Sequence, residues 1–282
     1  MRACWTILTR TWQRMSRDNL SGLAAAAAFY ALLSIFPTLT ALVSLYGLVA
    51  DRTMVARQVR AMEGILPPEA VSLVATWLKA FVQGPPSRFG VGLIVSLLIA
   101  LWSAWSATAI LMTAIQTCYG EEEQRGFVRF NLHAVGLTVG LALFGIAALA
   151  LVAVVPAALT LLPVPAAWSN LIALIRWPIL AGIVIIALAI VYHYAPHRTQ
   201  AKWQWVSWGA AVATTLWILG SVAFTIYVSK VGNYDRTYGS LSAVIILLVW
   251  LNLSAYIILI GAELNAEIDR QAARKAPEIA PT

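Results

Sequence analysis

Residues 239–269 read GSLSAVIILLVWLNLSAYIILIGAELNAEID. An α-helix rises about 1.5 Å per residue, so about 20 apolar residues cross the roughly 30 Å of hydrocarbon in a bilayer. The run over 240–265 meets that length and predicts a membrane-spanning helix. It also carries Asn252 in its middle and Glu263 and Asn265 near its end. On a helical wheel Tyr256, Leu259 and Glu263 fall within about 40° of the line through Asn252, while Ser254, Gly261 and Asn265 lie opposite. An amide or acid facing hydrocarbon has no partner, so this span is expected to pack between neighbours or beside a wet cavity.

The rest of the chain has the same character. Its 282 residues are 61% hydrophobic and only 11% charged, with a mean hydropathy of +0.80, which is not the balance of a soluble globular domain. Six apolar runs are readable, near 23–50, 90–117, 132–162, 171–195, 207–229 and 240–265, separated by turn and charge clusters such as G-P-P-S-R at 84–88 and Y-G-E-E-E-Q-R at 119–125. Backbone polar groups in lipid must be satisfied within the segment, and no barrel-like alternation is visible. The fold class is therefore all-α: a polytopic integral membrane helical bundle with six transmembrane helices. Residues 1–22 form an interfacial segment, 23–265 a single six-span domain with an outer loop over 51–89, and 266–282 a tail. No internal repeat is evident, and no G-x-x-x-G pair stands out as a dimer face, so the oligomeric state is left open.

Two amphipathic helices are expected at the interfaces. Trp5, Leu8, Trp12 and Met15 share one face of the N-terminal segment, with Arg10, Arg14 and Arg17 on the other. In the outer loop Leu73, Val74, Trp77, Leu78 and Phe81 form a second stripe. Six spans put both termini on one side, which collects eleven Lys and Arg residues against eight opposite. The positive-inside tendency makes that side cytoplasmic. The net charge of +7 suits anionic lipid headgroups and does not by itself indicate nucleic acid. Cys4 and Cys118 belong to no ligand cluster, and no disulfide is expected.

Polar residues recur inside the first two spans. Tyr30, Ser34 and Thr38 lie on one side of the first, and Pro37 interrupts it by withholding the bond to the Leu33 carbonyl. That interruption is either a hinge or a static bend. Ser103 and Ser106 continue the hydroxyl pattern on the second span. Glu263 has two readings: an interfacial acid bonded to a neighbouring helix or to the basic N-terminal region, or a transport or proton-relay group.

The segments AAAAFYALLSIFPTL (25–39), W-S-A-W-S-A (102–107), Y-G-E (119–121), Y-V-S-K-V-G-N-Y-D-R-T-Y-G-S-L (227–241) and G-A-E-L-N-A-E (261–267) together resemble the YihY/BrkB family of bacterial inner-membrane proteins. Order and spacing match along nearly the whole chain. The resemblance implies six helices in the bacterial cytoplasmic membrane, and family members have carried the labels virulence factor and, in older usage, ribonuclease. The family pattern falls on Phe29, Tyr30, Ser34 and Pro37, on Tyr234, Tyr238 and Gly239, and on Gly261, Glu263, Leu264 and Asn265. Between Tyr234 and Tyr238 the chain reads D-R-T, more polar than the family pattern.

Hydrolysis of RNA needs clustered carboxylates for metal ions or an acid–base pair around a phosphate. The three histidines, His133, His193 and His197, have no acidic third ligand nearby, and the E-E-E triplet at 121–123 repels nucleic acid. No phosphate-cradling glycine motif is present. An enzyme, a metal and a cofactor are thus not expected. The expected partners are membrane lipids and a lipid, lipid-linked or small-molecule substrate. A groove of spans one, two and six would be lined by Tyr30, Ser34, Pro37, Thr38, Ser103, Asn252, Tyr256, Glu263 and Asn265, with Tyr234, Tyr238 and Gly239 as loop or gate. The alternative is a non-transporting scaffold whose polar seams only hold helices together.

Overall fold

A computed structural model describes residues 2–49, 86–121, 123–149, 151, 166–196, 203–230 and 241–275. All regular secondary structure among them is helical: α1 (Arg2–Arg17), α2 (Leu20–Val49), α3 (Pro86–Tyr119), α4 (Phe127–Leu149), α5 (Ala166–Tyr194), α6 (Trp203–Lys230) and α7 (Ser242–Lys275). Six of these, α2 to α7, are long and apolar enough to cross a membrane. Their outward faces carry large apolar side chains, such as Leu132, Val139 and Leu143 on α4 and Leu219 and Val222 on α6. In water such surface would drive association; in a bilayer it meets lipid tails. The outer-loop helix expected over 73–81, and Tyr234, Tyr238 and Gly239, lie outside the described residues.

Local chemistry sets the helix ends. Asn19 takes φ 48° between α1 and α2, a left-handed conformation that Asn tolerates because its short amide bonds locally. Its carbonyl accepts from the Gly22 and Leu23 N–H groups, while Asp18 N–H still closes onto Arg14 O. α3 ends at Gly120, with φ 69°. Gly120 N–H bonds Thr117 O and Glu121 N–H bonds Gln116 O, the paired closure of a Schellman cap. α7 runs past residue 265, the expected end of the last span, to Lys275. α2 remains one helix through Pro37.

The chain divides into two compact units, residues 30–104 and residues 1–29 with 105–282. In the first, the Tyr30 and Trp102 rings meet edge to face at 5.9 Å. The second holds a core of Met15, Leu20, Ala24, Met112, Ile115, Tyr192, Leu259 and Ala262, among others. Small residues are frequent there because helices in lipid associate through close van der Waals approach rather than hydrophobic burial.

The tightest approach joins α6 to α7. A Cβ at Gly209 would collide with the Gly261 carbonyl and the Asn265 side chain, and one at Gly261 would stand 2.8 Å from the Gly209 carbonyl oxygen. Further along the antiparallel pair Trp217 Nε1–H donates to Ser254 Oγ at 3.0 Å, and the Trp217 and Trp250 rings lie 5.9 Å apart.

α1 is oriented differently from its two-faced reading. Trp12 is exposed, while Met15 of the same stripe is buried beside Thr11. Arg10 and Arg14, from the face opposite that stripe, reach towards Glu267 of α7. The helix rests on the boundary between its aromatic and basic faces.

Candidate functional site

The polar residues that stand out in the sequence separate into three environments. The first is the end of the second unit where α1, α3, α5, α6 and α7 meet, on the side that holds the termini. Glu263 is fully buried on α7, and Arg270, two turns on, donates Nη1–H to its Oε1 at 3.0 Å. The same Nη1 lies 3.2 Å from Glu267 Oε2, and Arg270 Nη2–H donates to the Cys118 carbonyl at the end of α3. Glu267, also buried, faces Arg10 Nη1 at 3.5 Å and Arg14 Nε at 3.8 Å.

Two buried carboxylates are thus held by three guanidinium groups from two helices. Taking such charges out of water is costly, and only close pairing offsets it. Glu263 Oε2 is buried and accepts no hydrogen bond among the described residues. The network ties α1 to α7 and α7 to α3. The Cys118 thiol lies against Glu263 but is fully buried and donates to the Leu259 carbonyl at 3.9 Å, so the arrangement serves cohesion rather than bond-making chemistry.

Neutral bonds complete this end. Asn265, fully buried, accepts the Gly209 N–H through Oδ1 at 2.7 Å. Tyr192 on α5 donates its hydroxyl to Ile258 O at 2.7 Å. Arg125 in the α3–α4 turn donates Nη2–H to Ala195 O at 2.7 Å, next to Glu123.

The second environment is the middle of α7. Asn252 is exposed there, within the apolar span Ser242–Ala272, and its side chain makes no hydrogen bond among the described residues. Tyr256, one turn on, is half-buried. The expected line from Asn252 to Glu263 therefore does not share one environment: it is exposed at Asn252 and closed at Leu259 and Glu263.

The third environment is the other unit. Ser34 Oγ–H donates to Ala31 O at 2.7 Å and Thr38 Oγ1–H to Ser34 O at 2.6 Å. Ser103 is buried and donates to Ile99 O at 2.8 Å. These hydroxyls satisfy themselves on their own helix backbone, a common arrangement for Ser and Thr in a helix. Tyr30 and Pro37 are half-buried.

Sequence reasoning passed over Glu267 and Arg270 as site members. The signal was present: Glu263, Glu267 and Arg270 follow an i, i+4, i+7 spacing on one helix face that continues past the expected end of the span. Among the described residues no group of three or more His, Cys, Asp or Glu is placed to hold a metal ion.

Comparison with known proteins adds the lineage. The ribonuclease-like protein YfkH of Bacillus subtilis is 29% identical over 277 residues, covering 97% of this chain and 98% of that protein. A UPF0761 membrane protein of Tolumonas auensis is 26% identical over 259 residues, 91% of this chain and 83% of its own. Another, from Haemophilus influenzae, is 22% identical over 259 residues, 92% and 93% of the two chains. No solved structure matches. The family model described as virulence factor BrkB matches residues 11–281, a range that takes in every span and the buried charge network apart from Arg10. This six-span membrane chain belongs to the BrkB family.

Proposed function

We propose that the chain moves a lipid, a lipid-linked intermediate or a small-molecule substrate along a polar path on its last span. Asn252 carries the reading. It is an exposed amide in the middle of a membrane-spanning helix, and an unpaired amide facing hydrocarbon costs several kcal/mol. Water or a substrate's polar headgroup at that position removes the cost. Tyr256, half-buried one turn away, extends the same surface. No hydrolytic chemistry enters the proposal, because the buried acids at the end of α7 are committed to arginines.

Thiol accessibility tests the path. Asn252→Cys is expected to react with a membrane-impermeant maleimide in intact vesicles, while Leu219→Cys, on an exposed apolar face of α6, is not. Equal protection of both positions contradicts a polar path.

The second reading, a non-transporting scaffold or accessory subunit in envelope integrity or virulence, is favoured by Glu263. The acid that could have served a relay is fully buried and ion-paired, as a structural clasp would be. We place the protein in the bacterial inner membrane with both termini cytoplasmic, supported by the excess of Lys and Arg on the termini side.

A further inference from the structure

Between α4 and α5 lies an open apolar cavity of about 330 Å³, lined by Gly136, Gly140 and Phe144 on one wall and Ile183, Ile186 and Ile190 on the other, among others. The volume falls in the range of about 300–1,000 Å³ common for small-molecule sites. All of these residues lie within the spans Phe127–Ala148 and Leu174–Tyr194. The concavity has a simple origin. No heavy atom stands within 4 Å of where a Cβ at Gly136 or Gly140 would be, so the two glycines leave a trough where other residues would fill the space. They are spaced G-x-x-x-G, a pair that a reading of the sequence for dimer faces overlooks.

The same face of α4 continues towards the termini side. Residues 129, 133, 136, 140, 144 and 147 follow the i, i+4, i+7 repeat of one helical stripe. The stripe therefore begins with Arg129 and His133, both exposed, and passes into the trough. His133 Nδ1–H donates to the Arg129 carbonyl at 2.8 Å, which ties the ring to its own helix and leaves the Arg129 guanidinium as the charged group of the stripe. Among the described residues no acid pairs with Arg129. Tyr194, exposed at the end of α5 on this side, supplies an amphipathic ring of the kind that sits at headgroup level.

We propose that this groove is a docking site for an anionic phospholipid of the surrounding leaflet, its phosphate on Arg129 and an acyl chain in the Gly136–Gly140 trough. Charge favours this occupant over a second copy of the chain. A two-fold contact through the glycine pair would set Arg129 against Arg129, whereas a lipid phosphate neutralises it. An acyl chain leaves hydrocarbon for an apolar groove and gains only van der Waals contact. Selectivity must therefore come from the headgroup, and the site distinguishes anionic from zwitterionic lipids. Docking here requires no lipid movement and is independent of the path on α7.

The test uses the full chain in phosphatidylcholine vesicles doped with acyl-diazirine probes, either phosphatidylglycerol or phosphatidylcholine, with cross-linked peptides mapped by mass spectrometry. The phosphatidylglycerol probe is expected to label α4 and α5 around residues 136–147 and 183–191 in preference to the phosphatidylcholine probe by roughly fivefold, the bias that one interfacial cation confers. Arg129→Gln should equalise the probes without abolishing labelling. Gly140→Leu, at a position with room for a side chain, should remove labelling from the Ile183, Ile186 and Ile190 wall while leaving Leu219 and Val222 on α6 labelled. Equal labelling by both probes in the unaltered chain overturns the proposal, as does groove labelling that survives Gly140→Leu. Protection of the groove from both probes at high protein density, relieved by dilution into excess lipid, would assign the trough to self-association instead. If Gly140→Leu does not fold, the exposed Arg129→Gln change still decides headgroup selectivity.

Discussion

Glu263 and Glu267 are held inside the protein by arginines, and the energetics of that arrangement are asymmetric. Removing one partner of a buried pair leaves an uncompensated charge and costs roughly 3–5 kcal/mol, whereas replacing both is far milder. Arg270→Met should therefore lower thermal stability in detergent sharply, and the double change Glu263→Gln with Arg270→Met should recover much of the loss. Melting curves for the single and double variants form a cycle that measures the coupling. The glycines divide in the same way. Gly261→Ala drives a methyl towards the Tyr192 hydroxyl and the Gly209 carbonyl, an overpacking expected to cost about 1–3 kcal/mol. Gly136→Ala, with open space around it, should stay within about 0.5 kcal/mol of the parent. The contrast shows what one sequence can reveal. One of the two readings of Glu263 has it bonded to a neighbouring helix or to the basic N-terminal region, but its cation is Arg270 of its own helix, and the N-terminal arginines meet Glu267 instead. The fit of Gly209 under Asn265 was not legible, because helical periodicity assigns a face and never the residue opposite.

At the scale of elements, run length alone announced α2 to α7, because the hydrocarbon thickness is a fixed ruler. The orientation of α1 was harder to read. Its hydrophobic pattern presumes two environments, oil and water, but a helix beside a membrane protein meets a third, the protein itself. Met15 went into the core, Trp12 stayed outside, and the arginines found Glu267. The paired change Arg10→Gln with Arg14→Gln should loosen α1 without disturbing the α6–α7 contact. Hydrogen exchange over residues 9–17 is expected to quicken about two- to fivefold, since partly exposed ion pairs contribute only about 0.5–1 kcal/mol. Exchange around Gly209 should not change. Uniform acceleration across both regions would mean that α1 supports the whole fold rather than being clasped to it.

For the whole molecule, topology and movement are the questions. A fluorescent protein that matures only in the cytoplasm, fused after Thr282, should be bright under the proposed orientation, which rests on six spans and the Lys and Arg excess of the termini side. A dark fusion in well-expressed, inserted protein would reverse the orientation. The proposed movement of substrate along α7 is tested most directly in proteoliposomes, with a panel of labelled lipids and three proteins matched for folded, inserted amount: the parent chain, Asn252→Ala, and the Glu263→Gln with Arg270→Met pair. The account predicts protein-dependent transbilayer movement of at least one lipid class in the parent, a marked fall with Asn252→Ala, and near-parental movement in the pair, whose network holds helices together and does not conduct. Parent vesicles no faster than empty ones for every lipid, or an Asn252→Ala rate equal to the parent's, would contradict a lipid path on the last span.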